Sequence, residues 1–349
     1  MPAFAQGTMM MPAPTKTNYW SVSGRFLGAK QCALCHVEQS KHFHNNSMSR
    51  ALEPMETCAI LKGSVNYTWK DAKYSYQITR VGDKVIYRVT DGKETQEIPL
   101  QYAFGQGKAG QTYVFEIEGE FYESRVSYYE KLKGLDLTVG AMNREPTSVR
   151  TAAGRRIDRD EARDCFGCHT TGARTGATFQ LTNFQAGVQC ESCHGPGGAH
   201  VDSIRDGRPA ANSIRSLKGM DPEETNEMCG VCHRTWEAVM MAGLSGSNTV
   251  RFPPYRLSIS KCFSLQDRRI ACTACHNPHE GLVEDDKSYD AKCTACHNKA
   301  NTSIAKRVCP TGKQGCTSCH MPRVEPAESH HAFPDHWIRI VRSKSEYPE

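Results

Sequence analysis

Seven copies of one pentapeptide, Cys-x-x-Cys-His, set the terms on which this 349-residue chain can fold. They begin at Cys32, Cys165, Cys190, Cys229, Cys272, Cys293 and Cys316 and continue to Cys35, Cys168, Cys193, Cys232, Cys275, Cys296 and Cys319. The histidines that close them are His36, His169, His194, His233, His276, His297 and His320. Two thiols three positions apart lie on one side of a helical turn, where they can form thioethers with the two vinyl groups of a porphyrin. The adjacent imidazole then sits beneath the ring as an axial ligand to iron. The pattern predicts seven covalently bound haem c groups. Zinc is the competing use of Cys-x-x-Cys, but zinc ribbons take such pairs two at a time and seven is odd. With 14 His in the chain, a His follows any one pair by chance about 4% of the time, so seven of seven is no accident.

The bulk composition makes sense only with haem. Apolar residues are 38% of the chain, and six motifs crowd into residues 161–337, about thirty residues per haem. That is too little chain for conventional hydrophobic cores. The expected fold class is therefore a multihaem cytochrome c, mostly short helices and loops wrapped round a haem stack, and a haem-free chain is not expected to fold. The formal charge of +5 does not signal a nucleic-acid partner. Each haem brings two propionates, so the loaded protein turns acidic and its Lys and Arg pair with propionates. No stretch approaches the ~18 apolar residues of a membrane span, so a soluble chain is expected. Haem attachment of this kind requires reduced thiols handled outside the cytoplasm, which predicts export to the periplasm or beyond. Residues 1–20 have neither a basic start nor an apolar core, although Ala3-Phe4-Ala5 resembles the end of a signal-peptidase site.

Five segments follow from the pattern. Residues 1–25, polar with three successive Met, read as a mobile tail. Residues 26–60 hold the first motif, and 39–52 read as a helix carrying His42, His44 and Met48. Residues 61–150 change character: Tyr74-Ser75-Tyr76-Gln77-Ile78-Thr79 and Lys84-Val85-Ile86-Tyr87-Arg88-Val89 alternate about Gly82-Asp83, and similar runs flank Gly119. These are hairpin signatures, and they predict a small antiparallel β module inserted between the first haem and the rest. Residues 151–340 form the six-haem core, with motifs every 21 to 43 residues, and 341–349 a charged tail.

Seven His lie outside the motifs: His42, His44, His200, His279, His330, His331 and His336. That equals the number of haems and permits bis-His ligation throughout. A second ligand must approach from the opposite ring face. His279 follows His276 by three residues and His200 follows His194 by six, so each is expected to reach a neighbouring haem and interlock the stack. His44 is a candidate with His42 as its rival. Adjacent His330 and His331 point opposite ways if extended, so one of them is expected to ligate. If the pool falls short, Met48, Lys108 or water would fill the vacant position. Three further cysteines, Cys58, Cys262 and Cys309, lie outside the motifs, and export favours one disulfide with one thiol left over.

An ordered set of residues carries a resemblance. It comprises Gly28-Ala29-Lys30-Gln31 before Cys32, the His44 segment, Cys190-Glu191-Ser192-Cys193-His194-Gly195-Pro196-Gly197-Gly198-Ala199-His200, Cys272 to His279, and Cys316-Thr317-Ser318-Cys319-His320-Met321-Pro322. Over roughly residues 25–340 the chain resembles the exported multihaem cytochromes of the cytochrome c-554-like group, some of which are fused to tetratricopeptide repeats. The resemblance implies haems stacked in parallel and perpendicular pairs, with His44, His200, His279 and a C-terminal His as second ligands. It also supports pairing Cys262 with Cys309. Two departures bear on what carries over. No such repeat occurs in these residues, and Lys108 stands where relatives often place a His.

Two functions are compatible with these features. The first is a heptahaem electron carrier, exported, passing electrons to redox partner proteins or to copies of itself end to end in a homopolymeric filament. The second is an oxidoreductase acting on a small nitrogen or sulfur compound at one open-coordination haem.

Overall fold

In the computed structural model, residues 23–208, 213–264, 269–297, 309, 312 and 314–341 are described. The chain divides into a β sandwich and a lobe of short helices. Ten strands make the sandwich: β1 (Leu52–Pro54), β2 (Asn66–Lys70), β3 (Ser75–Val81), β4 (Lys84–Thr90), β5 (Thr95–Pro99), β6 (Tyr102–Phe104), β7 (Gln111–Ile117), β8 (Glu120–Tyr129), β9 (Gly134–Leu137) and β10 (Gly154–Ile157).

Strands β2 to β5 form an antiparallel meander. Val81 pairs with Lys84 across the two-residue turn Gly82-Asp83, as the sequence predicts. The second sheet has the order β1-β6-β7-β8-β10, with β9 also paired to β8. Strand β8 shares one edge between two partners: Phe121–Ser124 pair with β10 and Val126–Tyr129 with β9. Ile117 pairs with Glu120 across Glu118-Gly119, both of positive φ (54° and 82°), the backbone of a type I′ turn. The pairing of β7 with β8 slips between Thr112 and Val114, and the Tyr113 N–H there donates to Ser124 Oγ at 3.0 Å.

The period-two pattern becomes the core. Tyr76 and Ile78 of β3 and Val85, Tyr87 and Val89 of β4 face Tyr113, Phe115 and Val126 of the other sheet in one buried cluster. The helix Val149–Ala153, closed by a Ser148/Thr151 capping box, adds fully buried Ala152 and Ala153. This core is built from the side chains of the two sheets and one helix.

Two boundaries differ from the sequence reading. Strands β1 and β10 carry the sandwich out to Leu52 and Ile157, beyond 61–150. Residues 39–52 do not make one helix: Val37–Ser40 is followed by 3-10 turns at Phe43–Asn45 and Ser47–Arg50 and then by β1. The break is at Asn46, whose extended backbone and side chain cap the second turn through Met48 N–H, a use of Asn that competes with helix. The expected N-terminal tail lies outside the described residues except for Ser23, Gly24 and Arg25, and Arg25 is held bidentately by Asp202 at 2.7 and 2.8 Å. Of the charged tail, only residue 341 is described.

Beyond the sandwich the described helices are short, the longest being Pro222–His233 at 12 residues. With this much strand, the fold is more mixed than mostly helices and loops. Among the described residues no helix is long and apolar enough to cross a membrane.

One ring joins the two parts. Phe166, inside the second motif, is fully buried against the outer face of the six-stranded sheet with Leu52, Phe104, Val114 and Ile157. It meets Tyr102 and Phe104 edge to face at 4.9 and 5.1 Å and Phe179 at 5.7 Å. Phe166→Ala is expected to lower the unfolding free energy by about 3–5 kcal/mol. Denaturant titration followed by circular dichroism checks this, and a loss under about 1 kcal/mol would show that the ring is not the joint.

Candidate functional site

Every motif sits on a helical turn. The motif cysteines of Arg159–His169, Cys190–His194, Pro222–His233, Cys272–Cys275, Asp290–His297 and Cys316–His320 are helical. For the first motif, Cys35 N–H and His36 N–H both donate to Cys32 O, at 3.2 and 2.9 Å, just past Ala29–Ala33. Each thiol pair therefore shares one helix face, as thioether attachment needs.

Three motif imidazoles are oriented by carbonyls. His169 Nδ1–H donates to Ala51 O at 2.9 Å, His194 Nδ1–H to Arg215 O at 3.1 Å, and His320 Nδ1–H to Arg339 O at 2.9 Å. A carbonyl only accepts, so the proton is fixed on Nδ1 and Nε2 keeps a lone pair for a metal. Burial also pushes His169, His233 and His276 down from the ordinary imidazole range, toward the neutral form that can ligate.

Three of the seven second-ligand candidates stand opposite motif imidazoles, each from another motif. His200 faces His36 with ring centres 6.3 Å apart, His279 faces His194 at 6.3 Å, and His336 faces His276 at 6.1 Å. Two imidazoles sharing one metal at bonds of about 2 Å have ring centres about 6 Å apart. The gaps thus fit an iron between each pair. His336 is pushed down to about 4 by burial and by the neighbouring His276, and His279 is lowered by burial and by His194.

Neighbouring residues fix these rings. Asn46 Nδ2 donates to Pro278 O at 2.6 Å, and His279 N–H donates to Asn277 Oδ1 at 3.1 Å. Asp335, fully buried, accepts from Arg339 Nη1 at 2.6 Å and Trp337 N–H at 3.0 Å beside Arg256. Ser260 Oγ donates to His336 O at 2.7 Å. Sequence reasoning missed Asp335, although an acid directly before a candidate His is a visible signal.

The other candidates are placed differently. His330 turns to the sandwich, Nε2 lying 2.9 Å from Asp136 Oδ2 with its ring on Tyr129. His331 points elsewhere, onto Phe333, and is half-buried near Lys108 and Glu284. His42 and His44 are exposed at the Phe43–Asn45 turn. Lys108 Nζ is paired with Glu284, whose carboxyl it holds below the usual range. Cys262 is half-buried, its thiol pushed up by burial, and Cys309 is exposed. Cys58 is buried in the sandwich, its thiol pushed up by burial and donating to Gln111 Oε1 at 3.4 Å.

The motifs also touch through their cysteines. Cys32 lies against Cys190, Cys168 against Cys232, Cys229 against Cys272, and Cys293 against Cys316. With the imidazole pairs, these contacts join all seven motifs into one network. The last contact is reinforced by Asp290, whose carboxylate accepts Gly315 N–H at 2.7 Å and Cys316 N–H at 2.8 Å. It was not singled out in the sequence because it precedes its motif without matching any pattern.

The chain is similar to known cytochromes. The family described as cytochrome c554 and c-prime matches residues 128–195. Cytochrome c-554 of Nitrosomonas europaea is 27% identical over 143 residues, 38% of this chain and 60% of that protein. The multiheme cytochrome MtrA of Shewanella baltica is 25% identical over 195 residues, 54% of this chain and 46% of that one. The chain thus spans less than two thirds of either relative. The outer cell wall cytochrome OcwA is similar in fold, with a TM-score of 0.54 at 14% identity over 90% of this chain and 80% of that one.

Asp290 yields a test in acid. The Cys316 and Gly315 N–H groups hold its carboxyl below the usual range. A depressed folded value means that its stabilisation is complete above the unfolded value of about 3.9 and is lost as pH falls through the folded one. The contact between the last two motifs is therefore expected to persist to about pH 4 and to open only in stronger acid. Asp290→Asn should alter that acid transition in Soret circular dichroism. Superimposable titrations would show that the carboxylate holds nothing.

Proposed function

We propose that the chain is a multihaem c-type cytochrome of the cytochrome c-554 group and that it carries electrons along seven covalent haem c groups. The observation that carries this reading is the set of three imidazole pairs, each at the separation of two ligands on one iron. When bound, haem between two imidazoles is low-spin, with small reorganisation on electron transfer. In this reading the thioethers come from the fourteen motif cysteines and the first ligands from His36, His169, His194, His233, His276, His297 and His320. His200, His279 and His336 then complete the haems of His36, His194 and His276. The remaining four draw on His44 or His42 and on His331, since His330 is committed to Asp136.

The carrier is read as periplasmic or extracellular, with redox proteins as partners. Its finer form is a filament of end-to-end copies. Leu34 within the first motif and Val37 just after it, 70% and 58% exposed, would leave that haem's edge at the surface to meet a second copy.

One observation keeps a second reading. With His330 on Asp136, the histidines left for four irons are His42, His44 and His331, one short of four. An iron without a side-chain partner would suit reduction or oxidation of a small nitrogen or sulfur compound.

Intact mass should show seven haems on the chain. His279→Ala and His336→Ala should each keep that mass while turning one haem high-spin in electron paramagnetic resonance and open to carbon monoxide after dithionite reduction. Variants that stay wholly low-spin would remove the ligand assignment. Carbon monoxide binding by the unaltered protein would favour the second reading.

A further inference from the structure

Glu191 is the first variable residue of the third motif, and its side chain is almost wholly buried, the residue being 3% exposed. Its carboxylate gathers donors from three separate segments. Oε1 accepts Leu27 N–H at 2.9 Å and Gly197 N–H at 2.8 Å. Oε2 accepts Leu27 N–H at 3.1 Å, Gly28 N–H at 2.8 Å and Gln185 Nε2 at 3.0 Å. Hydrogen bonds to a carboxylate are among the stronger ones, and three backbone donors leave little freedom to the segments that supply them.

Two of these segments lead to a ligand. Leu27-Gly28 enters the turn that carries Cys32, Cys35 and His36. Gly197 lies in the turn that delivers His200, the ring opposite His36 at 6.3 Å. Glu191 itself rides between Cys190, which lies against Cys32, and His194. The turn is drawn in tightly: a Cβ on Gly198 would stand 2.8 Å from Arg25 Cβ and 2.9 Å from Arg25 O, so only glycine fits there. Gly198 N–H also donates to Arg25 O at 3.0 Å.

We propose that Glu191 is a positioning residue for the first haem: from within the third motif, its carboxylate sets the gap between His36 and His200 and so keeps that iron six-coordinate. It touches neither imidazole. It acts by fixing the backbone on both sides of the haem at once, which makes the coordination of the first haem depend on the third motif. The proposal rests on the bis-His reading above.

Glu191→Gln keeps the shape but places an amide NH2 where backbone N–H groups need an acceptor. The variant is expected to retain the mass of seven haems while part of one haem equivalent becomes high-spin and binds carbon monoxide. His200→Ala, which removes the ring outright, sets the full equivalent. Gln185→Ala takes away one side-chain donor and should give a smaller fraction, which keeps the idea testable if the Gln variant fails to fold. Glu97→Gln, which loosens an exposed ion pair with Arg88 on the β sandwich, should leave the spin state of the first haem unchanged. If His200→Ala opens a haem while Glu191→Gln and Gln185→Ala stay low-spin, Glu191 has no positioning role and the ligand reading stands. If His200→Ala opens none, the ligand reading falls and this proposal with it.

Discussion

The burial of Phe166 connects a conventional β sandwich to a lobe that has little apolar core of its own. Phe166 belongs to the second motif by sequence and to the sheet by packing, because its ring fills the gap between Phe104, Tyr102 and Phe179. The motif helix is thereby fixed to a rigid surface. The same helix carries His169, whose Nδ1–H reaches back to Ala51 at the start of β1. Sheet and motif are oriented by the aromatic contacts of Phe166, the His169 hydrogen bond and the ion pair of Arg155 with Glu161, and the rest of the lobe is built outward from there.

Farther from the sheet, carboxylates take over from rings. Glu191 and Asp290 each accept backbone N–H groups at the start of a helix that carries a motif or a candidate ligand. Short helices expose unsatisfied N–H groups at every start, and an acidic side chain from a neighbouring segment satisfies them while joining the two segments. In a lobe assembled from pieces of a dozen residues or fewer, such contacts do what a continuous hydrophobic core does elsewhere.

The most legible parts of the sequence were those governed by a local rule. The seven motifs, the turn at Gly82-Asp83 and the alternation of β3 and β4 needed only neighbours a few positions away. That His200 and His279 should serve haems other than their own followed from reach along the chain, and the structure sets both opposite imidazoles of other motifs. What was not legible depends on distant partners. Strands β1 and β10, three and four residues long, carry too little pattern to be read and exist because β6 and β8 offer open edges. Asn46 breaks the expected helix partly to reach Pro278, far along the chain. His330 and His331 were indistinguishable until Asp136 claimed one of them.

The three imidazole pairs join residue 36 to 200, 194 to 279, and 276 to 336. Each span begins a few residues before the previous one ends, so together they cover the chain from 36 to 336 without a gap. With an iron in each pair, tension applied to the two ends would pass through three metal links in series while the polypeptide between them stayed slack. Such a chain resists stretching by coordination strength rather than by folding cooperativity, and it would lengthen one link at a time.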